Sequence, residues 1–291
     1  MTIVILSDLH VIAWSKHLFA DEREVHRIWE PLNPKGDVLI VAGDIGEIPM
    51  QNVNFLKQLK ELYYKEIVCV LGNHDLHCLT NRTLYLYDEN RELVQQSGWK
   101  DYRTKIPETK ALFKDAGIHL LDGEIITIDG ITIGGSMGWY DGQYTKAHNI
   151  SLGQHPRDRY RHYHDLQDLW LDSMPDDDIK PMYRFNDLFK EEYKKLDSII
   201  DRCDIMISHI NPSIDKAHQN PDWKDHPTCG FYSFEGRELI EKFKGSHWIF
   251  GHSHYRGEYR INEFNLIANA LGYPSEHKKV EILSIFPLET F

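Results

Sequence analysis

Five times along this chain a short apolar run, rich in β-branched residues, stops at polar residues of the types that ligate metals. Ile3 to Leu6 ends at Ser7-Asp8-Leu9-His10. Val38 to Ala42 ends at Gly43-Asp44, and Ile67 to Leu71 at Gly72-Asn73-His74-Asp75. Ile205 to Ile207 ends at Ser208-His209, and Trp248 to Phe250 at Gly251-His252-Ser253-His254. Runs of this length and make-up read as buried strands. Between them, apolar residues recur at helical spacing over Val53 to Tyr64, Thr109 to Ala116 (stopped by Gly117), Phe185 to Ile200 and, more briefly, Phe234 to Phe243. Strands alternating with helices predict an α/β architecture. In open α/β sheets, ligands bind beyond the carboxyl ends of the strands. All five polar blocks are therefore expected at one edge.

Other segments read as antiparallel strands. Ile125 to Ile128 and Ile131 to Ile133 flank Asp129-Gly130, a hairpin turn signal, and Val280 to Phe286 is a further strand candidate. Residues 76–106 and 140–184 fit the alternation poorly and are expected as insertions over one face, since long irregular loops often serve as lids. The second holds a His/Arg/Tyr-rich stretch, with His155, His162 and His164, and an acidic turn, Asp176-Asp177-Asp178. Both read as solvated polar surface. No repeat or linker divides the chain, so one domain over residues 1–291 is expected.

Composition narrows the class. With 41% hydrophobic and 27% charged residues, the chain reads as a soluble globular protein. No apolar run approaches the ~20 residues of a membrane span. The start, Met1-Thr2 followed directly by Ile3, lacks the basic region and cleavage site of a signal peptide, so a cytoplasmic location is expected. Cys69, Cys78, Cys203 and Cys229 form no Cys-x-x-Cys pair and read as buried free thiols. A net charge of −12 disfavours broad nucleic-acid binding, although bound cations would invert the field locally.

Asp8, His10, Asp44, Asn73, His209, His252 and His254 mix carboxylates, imidazoles and one amide, without a thiolate. Such donors suit manganese, iron or zinc in an open site, whereas structural zinc favours cysteine-rich closure. Seven ligands are too many for one catalytic zinc and fit two metals sharing a carboxylate. Two metals ~3.5–4 Å apart can clamp the attacking and leaving oxygens of an in-line displacement.

Asp8-x-His10, Gly43-Asp44, Gly72-Asn73-His74-Asp75, His209 and Gly251-His252-x-His254, in this order, resemble the calcineurin-like metallophosphoesterase superfamily. The resemblance implies a four-layer α-β-β-α sandwich of two mixed sheets with helices outside. It implies Asp8, His10 and His254 on a first metal, Asn73, His209 and His252 on a second, and Asp44 bridging both together with a hydroxide that attacks phosphorus in line. His74 would stand near the leaving group as general acid or charge stabiliser, with Asp75 orienting it through a hydrogen bond. The implied activity is hydrolysis of a phosphomonoester or phosphodiester in a small molecule or nucleotide. The superfamily's protein phosphatases carry Gly-Asp-x-x-Asp-Arg-Gly. This chain has Gly43-Asp44-Ile45-Gly46-Glu47-Ile48-Pro49, which disfavours phosphoprotein substrates. A nuclease is the alternative within the superfamily, and the acidic balance speaks against it. A non-catalytic scaffold is the alternative outside enzymology, but such relatives typically lose ligands, and all seven positions are filled here.

Five further residues are candidates for contact with substrate. Trp139 and Tyr140 follow the Gly134-Gly135-Ser136 turn, with a place at the edge of the core as the alternative. Asn211 follows His209 in Ser-His-Ile-Asn-Pro and falls near the site. Tyr255 and Arg256 follow Gly-His-x-His directly; Arg256 could pair with a phosphate or with a surface carboxylate.

Overall fold

The computed structural model describes residues 1–32, 36–78, 84–88, 90, 92–96, 102–150, 183–276 and 283–285. All five apolar runs that open the polar blocks become strands with parallel neighbours. The first sheet contains β1 (Ile3–Leu6), β2 (Val38–Ala42), β3 (Glu66–Val70), β6 (His119–Leu120) and β13 (Leu283–Ile285) in the order β13-β1-β2-β3-β6. Only β13 runs antiparallel. The second contains β7 (Glu124–Ile128), β8 (Ile131–Gly135), β9 (Ile205–Ile207), β10 (His247–Phe250), β11 (Arg256–Ile261) and β12 (Phe264–Asn269) in the order β11-β12-β10-β9-β8-β7, with antiparallel edges around a parallel centre.

The period-two alternation of strand side chains separates the layers. Ile3, Ile5, Ile40, Val68 and Val70 point from the first sheet into Ile133, Ile205, Ile207, Ile249 and Ile267 of the second. Their sequence neighbours Val4, Leu6, Leu39, Val41 and Ile67 point outward. There they meet Val25, Ile28 and Trp29 of α2 (Glu22–Trp29), which follows the short α1 (Val11–Trp14), Phe55, Leu56 and Leu59 of α3 (Pro49–Leu62), and Phe113 of α4 (Tyr102–Asp115). On the far side Met206, Trp248, Phe250 and Leu266 pack on Leu188 and Leu196 of α6 (Tyr183–Asp197) and Leu239 of α7 (Arg237–Lys242). The architecture is the expected four-layer α-β-β-α sandwich of two mixed sheets. Ile40, on the central strand of the first sheet, is fully buried, and its truncation to alanine would cost about 2–5 kcal/mol.

The two sheets are stitched together at the carboxyl ends of their strands. Ser7 N–H donates to Asn269 O (3.0 Å), Leu271 N–H donates to Ser7 O (2.8 Å), and the Asn269 amide donates to Ile5 O (2.7 Å). Strand-end peptide groups that would otherwise be buried without partners are thereby satisfied. As expected, all four cysteines are buried free thiols.

Some elements extend beyond their sequence signals. α3 begins at Pro49, in the first helical position that suits proline. α4 begins at Tyr102 and tolerates Pro107 within it, so its first turns overlap the predicted insertion 76–106. The earlier part of that segment forms the hairpin of β4 (Leu84–Tyr87) and β5 (Leu93–Gln96). It docks where Leu18 N–H donates to Tyr87 O (2.8 Å) and Tyr87 N–H to Lys16 O (2.9 Å). Of residues 140–184, α5 (Gln143–Ala147) and the start of α6 are described. His155, His162, His164 and Asp176–Asp178 lie outside the described residues.

Candidate metal centre

Three of the five polar blocks leave their strands through an abrupt reversal. Asp8, His10, Asp44, His252 and His254 all adopt positive φ, between 44° and 70°, which is uncommon for non-glycine residues. The loops brace one another: Asp8 N–H donates to Gly43 O, His10 N–H to Asp44 O and Gly251 N–H to His209 O, each at 2.9–3.0 Å. Gly72 is packed so tightly that a Cβ there would fall on the Asp44 carboxylate and amide.

The blocks converge as two half-sites around Asp44. In one, His10 Nε2 lies 3.0 Å from His254 Nε2, and His254 Nε2 lies 3.7 Å from Asp8 Oδ1. In the other, His209 Nε2 lies 3.0 Å from Asn73 Oδ1 and 3.3 Å from Asp44 Oδ1, with His252 close enough for the Asp44, His209 and His252 ligand atoms to fall within 4.8 Å of one another. Asp44 Oδ2 turns to the first half-site, 3.9 Å from His10 Nε2. All seven sequence-predicted ligands are thus brought together, and Asp44 faces both groups.

The donor atoms fit cations. His209 Nδ1–H donates to Ala42 O (2.8 Å), which leaves Nε2 as a lone pair facing the oxygens of Asn73 and Asp44. His254 Nδ1–H similarly donates to Glu276 Oε2 (2.7 Å), turning its Nε2 toward His10 and Asp8. Three or more acceptors aimed at one point repel unless a cation lies between them. His252 Nε2 and His10 Nδ1 are also buried without a hydrogen-bond partner, which is costly for an imidazole with no other ligand. Protons alone would neutralise the cluster poorly. Burial pushes His10 down to about 3 and His252 well below its ordinary range. His209 is also disfavoured by burial, but Asp44 beside it lifts it to about 9.

His74 sits at the rim of the first half-site, its ring 4.6 Å from that of His10, edge to face. The expected hydrogen bond from Asp75 is absent. His74 and Asp75 are adjacent in a short 3₁₀ turn (His74–Leu76), which sends consecutive side chains in different directions. Asp75 instead accepts from Gly72 N–H (2.8 Å), Ile45 N–H (3.2 Å), Gly46 N–H (3.2 Å) and the Asn52 amide (3.3 Å), so it ties two site loops together. The carboxylate that meets His74 is Glu47, whose Oε1 lies 2.9 Å from His74 Nδ1. Burial disfavours the imidazolium, yet Asp44 and Glu47 lift His74 to about 9. Lys105, fully buried in α4, donates to Glu47 O (2.7 Å) and His77 O (2.6 Å) and fixes both loops from below.

The five candidates for substrate contact are placed differently. Trp139 and Tyr140 are buried in the core behind His252, with the Tyr140 ring parallel to the His252 ring at 6.5 Å. Asn211 uses its side chain within its own loop, donating to His218 O (2.8 Å) and accepting from Ser213 N–H (2.9 Å), because the proline after it leaves that loop short of amide donors. Tyr255 stacks along Tyr259, and Arg256, on β11, donates from Nε to Ala270 O (2.8 Å). These side chains serve the sandwich and its loops. Tyr273 and Glu276 belong to none of the motifs, yet Tyr273 stacks on His10 (4.4 Å, 23°) and Glu276 holds His254. Among the described residues, no helix is long and apolar enough to cross a membrane.

Comparison with known proteins agrees with this geometry. The phosphopantetheinyl hydrolase PptH of Mycobacterium tuberculosis has a similar fold, with a TM-score of 0.66 at 16% identity over 100% of this chain and 97% of that one. Uncharacterized protein L509 of Acanthamoeba polyphaga mimivirus is 22% identical over 87% of this chain and 85% of its own length. UPF0046 protein T07D4.2 of Caenorhabditis elegans is 32% identical over 44% of this chain and 33% of its own. The sequence profile of calcineurin-like phosphoesterases matches residues 1–256, which takes in every one of the five polar blocks, and the chain belongs to that family.

Proposed function

We propose that the chain is a dinuclear metal-dependent hydrolase acting on a phosphomonoester or phosphodiester of a small molecule or nucleotide. The observation that carries this reading is the position of Asp44, whose two oxygens face His209 on one side and His10 on the other. Asp8, His10 and His254 would hold one cation and Asn73, His209 and His252 a second, with Asp44 shared. Two such ions, manganese, iron or zinc, would supply Lewis acidity toward phosphoryl oxygens and a water nucleophile near neutral pH.

The chain's own groups supply the rest. The backbone N–H groups of His252 and His74 donate to Asp8 Oδ1 (3.0 Å) and Asp44 Oδ1 (2.8 Å), which fixes how each carboxylate presents its remaining lone pairs. His74 keeps Nδ1–H on Glu47, which leaves Nε2 to carry the proton that an imidazolium can give to a departing alkoxide. Asp75 and Lys105 hold the His74 and Glu47 loops in register.

The test is hydrolysis of p-nitrophenyl phosphate and bis(p-nitrophenyl) phosphate with added manganese, before and after chelation. Turnover that chelation abolishes and manganese restores is expected. Undiminished turnover in metal-stripped protein would refute the reading.

A further inference from the structure

The turn that follows β12 lies beyond residue 256, where the family match ends, yet it reaches back over the metal centre. It is held there at several points. Leu271 N–H donates to Ser7 O (2.8 Å), Gly272 N–H to Asp8 O (2.9 Å), and Trp14 Nε1–H to Gly272 O (3.2 Å). A single oxygen, Glu276 Oε2, accepts both from His254 Nδ1 (2.7 Å) and from Tyr273 N–H (2.8 Å). The half-buried Tyr273 ring is thus anchored to a proposed metal ligand and stacked on another. Its centroid lies 4.4 Å from that of His10 and 5.0 Å from that of His254.

The chemistry around its hydroxyl is one-sided. A tyrosine phenol, with an ordinary value of about 10, is a neutral O–H at neutral pH. The carboxylates of Asp8, Asp44, Glu47 and Glu276 and the imidazoles of His10 and His254 lie around it. A phosphoryl group arriving there needs donors for its non-bridging oxygens. A neutral O–H is such a donor, and its own hydroxyl makes no hydrogen bond among the described residues.

We infer that Tyr273 contacts substrate: its phenol donates a hydrogen bond to a non-bridging oxygen of the phosphoryl group, over the half-site formed by Asp8, His10 and His254. Glu276 positions it by holding its backbone and His254 through the same oxygen. This assignment rests on the hydrolase reading above.

The experiment compares manganese-loaded wild-type protein with Tyr273→Phe. It measures bound manganese by elemental analysis, affinity for inorganic phosphate by calorimetry, and kcat and KM for p-nitrophenyl phosphate. The ring and its stacking survive this substitution, so manganese content should be unchanged. Phosphate affinity and kcat/KM should fall about tenfold or more, the loss of one hydrogen bond to a charged group. Wild-type phosphate affinity and kinetics in Tyr273→Phe would overturn the inference and leave the hydrolase reading standing. Loss of manganese from the variant would make the tyrosine a structural prop and overturn it as well. A wild-type protein that takes up no manganese and turns over no substrate would remove both.

Discussion

Glu47 Oε1 lies 2.9 Å from His74 Nδ1, so the histidine at the rim of the metal centre is oriented by a carboxylate from the loop after β2 and not by the aspartate beside it in sequence. The contact fixes the imidazole tautomer and raises its basicity. Glu47→Gln should retain metal and lower kcat by about 10–100-fold, the range for residues that orient a catalytic or ligating group. His74 is lifted above its ordinary value, so the protonated form is lost only as pH rises through that higher value. Without the Glu47 charge, the alkaline limb of the kcat profile should move to lower pH. An unmoved limb would mean that His74 is not the titrating acid.

Asp44 is the residue whose loss should separate metal binding from folding. Asp44→Asn keeps the size of the side chain and, because asparagine tolerates left-handed backbone, keeps φ near 51°. Elemental analysis should show metal depletion, and turnover should fall by more than the ~100-fold ceiling of outer-shell changes. The wild-type protein should gain about 2.7 kcal/mol of stability at a manganese concentration 100 times its dissociation constant, read as a rise in Tm. Asp44→Asn should gain much less.

Gly72→Ala probes the tightest contact in the centre. The added methyl would collide with the carboxylate and amide of Asp44, and backbone cannot move aside as a side-chain tip can. Overpacking of this kind costs about 1–3 kcal/mol. Thermal unfolding should register that loss, and manganese uptake should weaken with it.

A second prediction about pH concerns stability far from the metals. Asp122 accepts from Lys110 and Lys195, both at 2.6 Å. Burial opposes its ionisation, but the two ammonium groups hold its carboxyl below the ordinary carboxylate range. A depressed carboxyl stabilises the fold above its unfolded value of about 3.8 and loses that contribution as pH falls through the lower folded value. Asp122→Asn should therefore be less stable than wild type at pH 7, by about 1.5–3 kcal/mol for hydrogen bonds to a charged group. Urea denaturation at pH 7 and near pH 3 should show the gap narrowing toward acid. A gap that widens would reverse the assignment.

The sequence displayed the strands and the seven convergent donors because both signals are local. A β-branched run has its period written in it, and the residue at its end marks the sheet edge. What escaped was whatever depends on chain crossing. Glu47 looked like one more loop glutamate until β2 and β3 became neighbours. Tyr273 and Glu276 follow β12 with no motif, and the contacts of the turn with Ser7, Asp8 and His254 carry them over the centre. The resemblance implies Asp75 as the partner of His74, but the 3₁₀ turn sends the two side chains apart. α2 went unread in the sequence; in the structure it is capped where Asp21 Oδ1 accepts from Glu24 N–H (2.9 Å). Apolar spacing marks α4 only from Thr109, whereas the helix begins at Tyr102 and holds Pro107 inside it.

Asp44 and four of the side chains around it hang from backbone in the left-handed region. Such conformations cost roughly 1–3 kcal/mol each where surrounding structure must enforce them. The chain accepts that cost while it folds, so a cation meets donors already aimed and need not reshape the loops. The same geometry dictates how the centre can be altered. Asparagine in place of Asp8 or Asp44 changes charge while keeping the turn, whereas valine or threonine would unbend the loop and erase the centre for reasons unrelated to ligation.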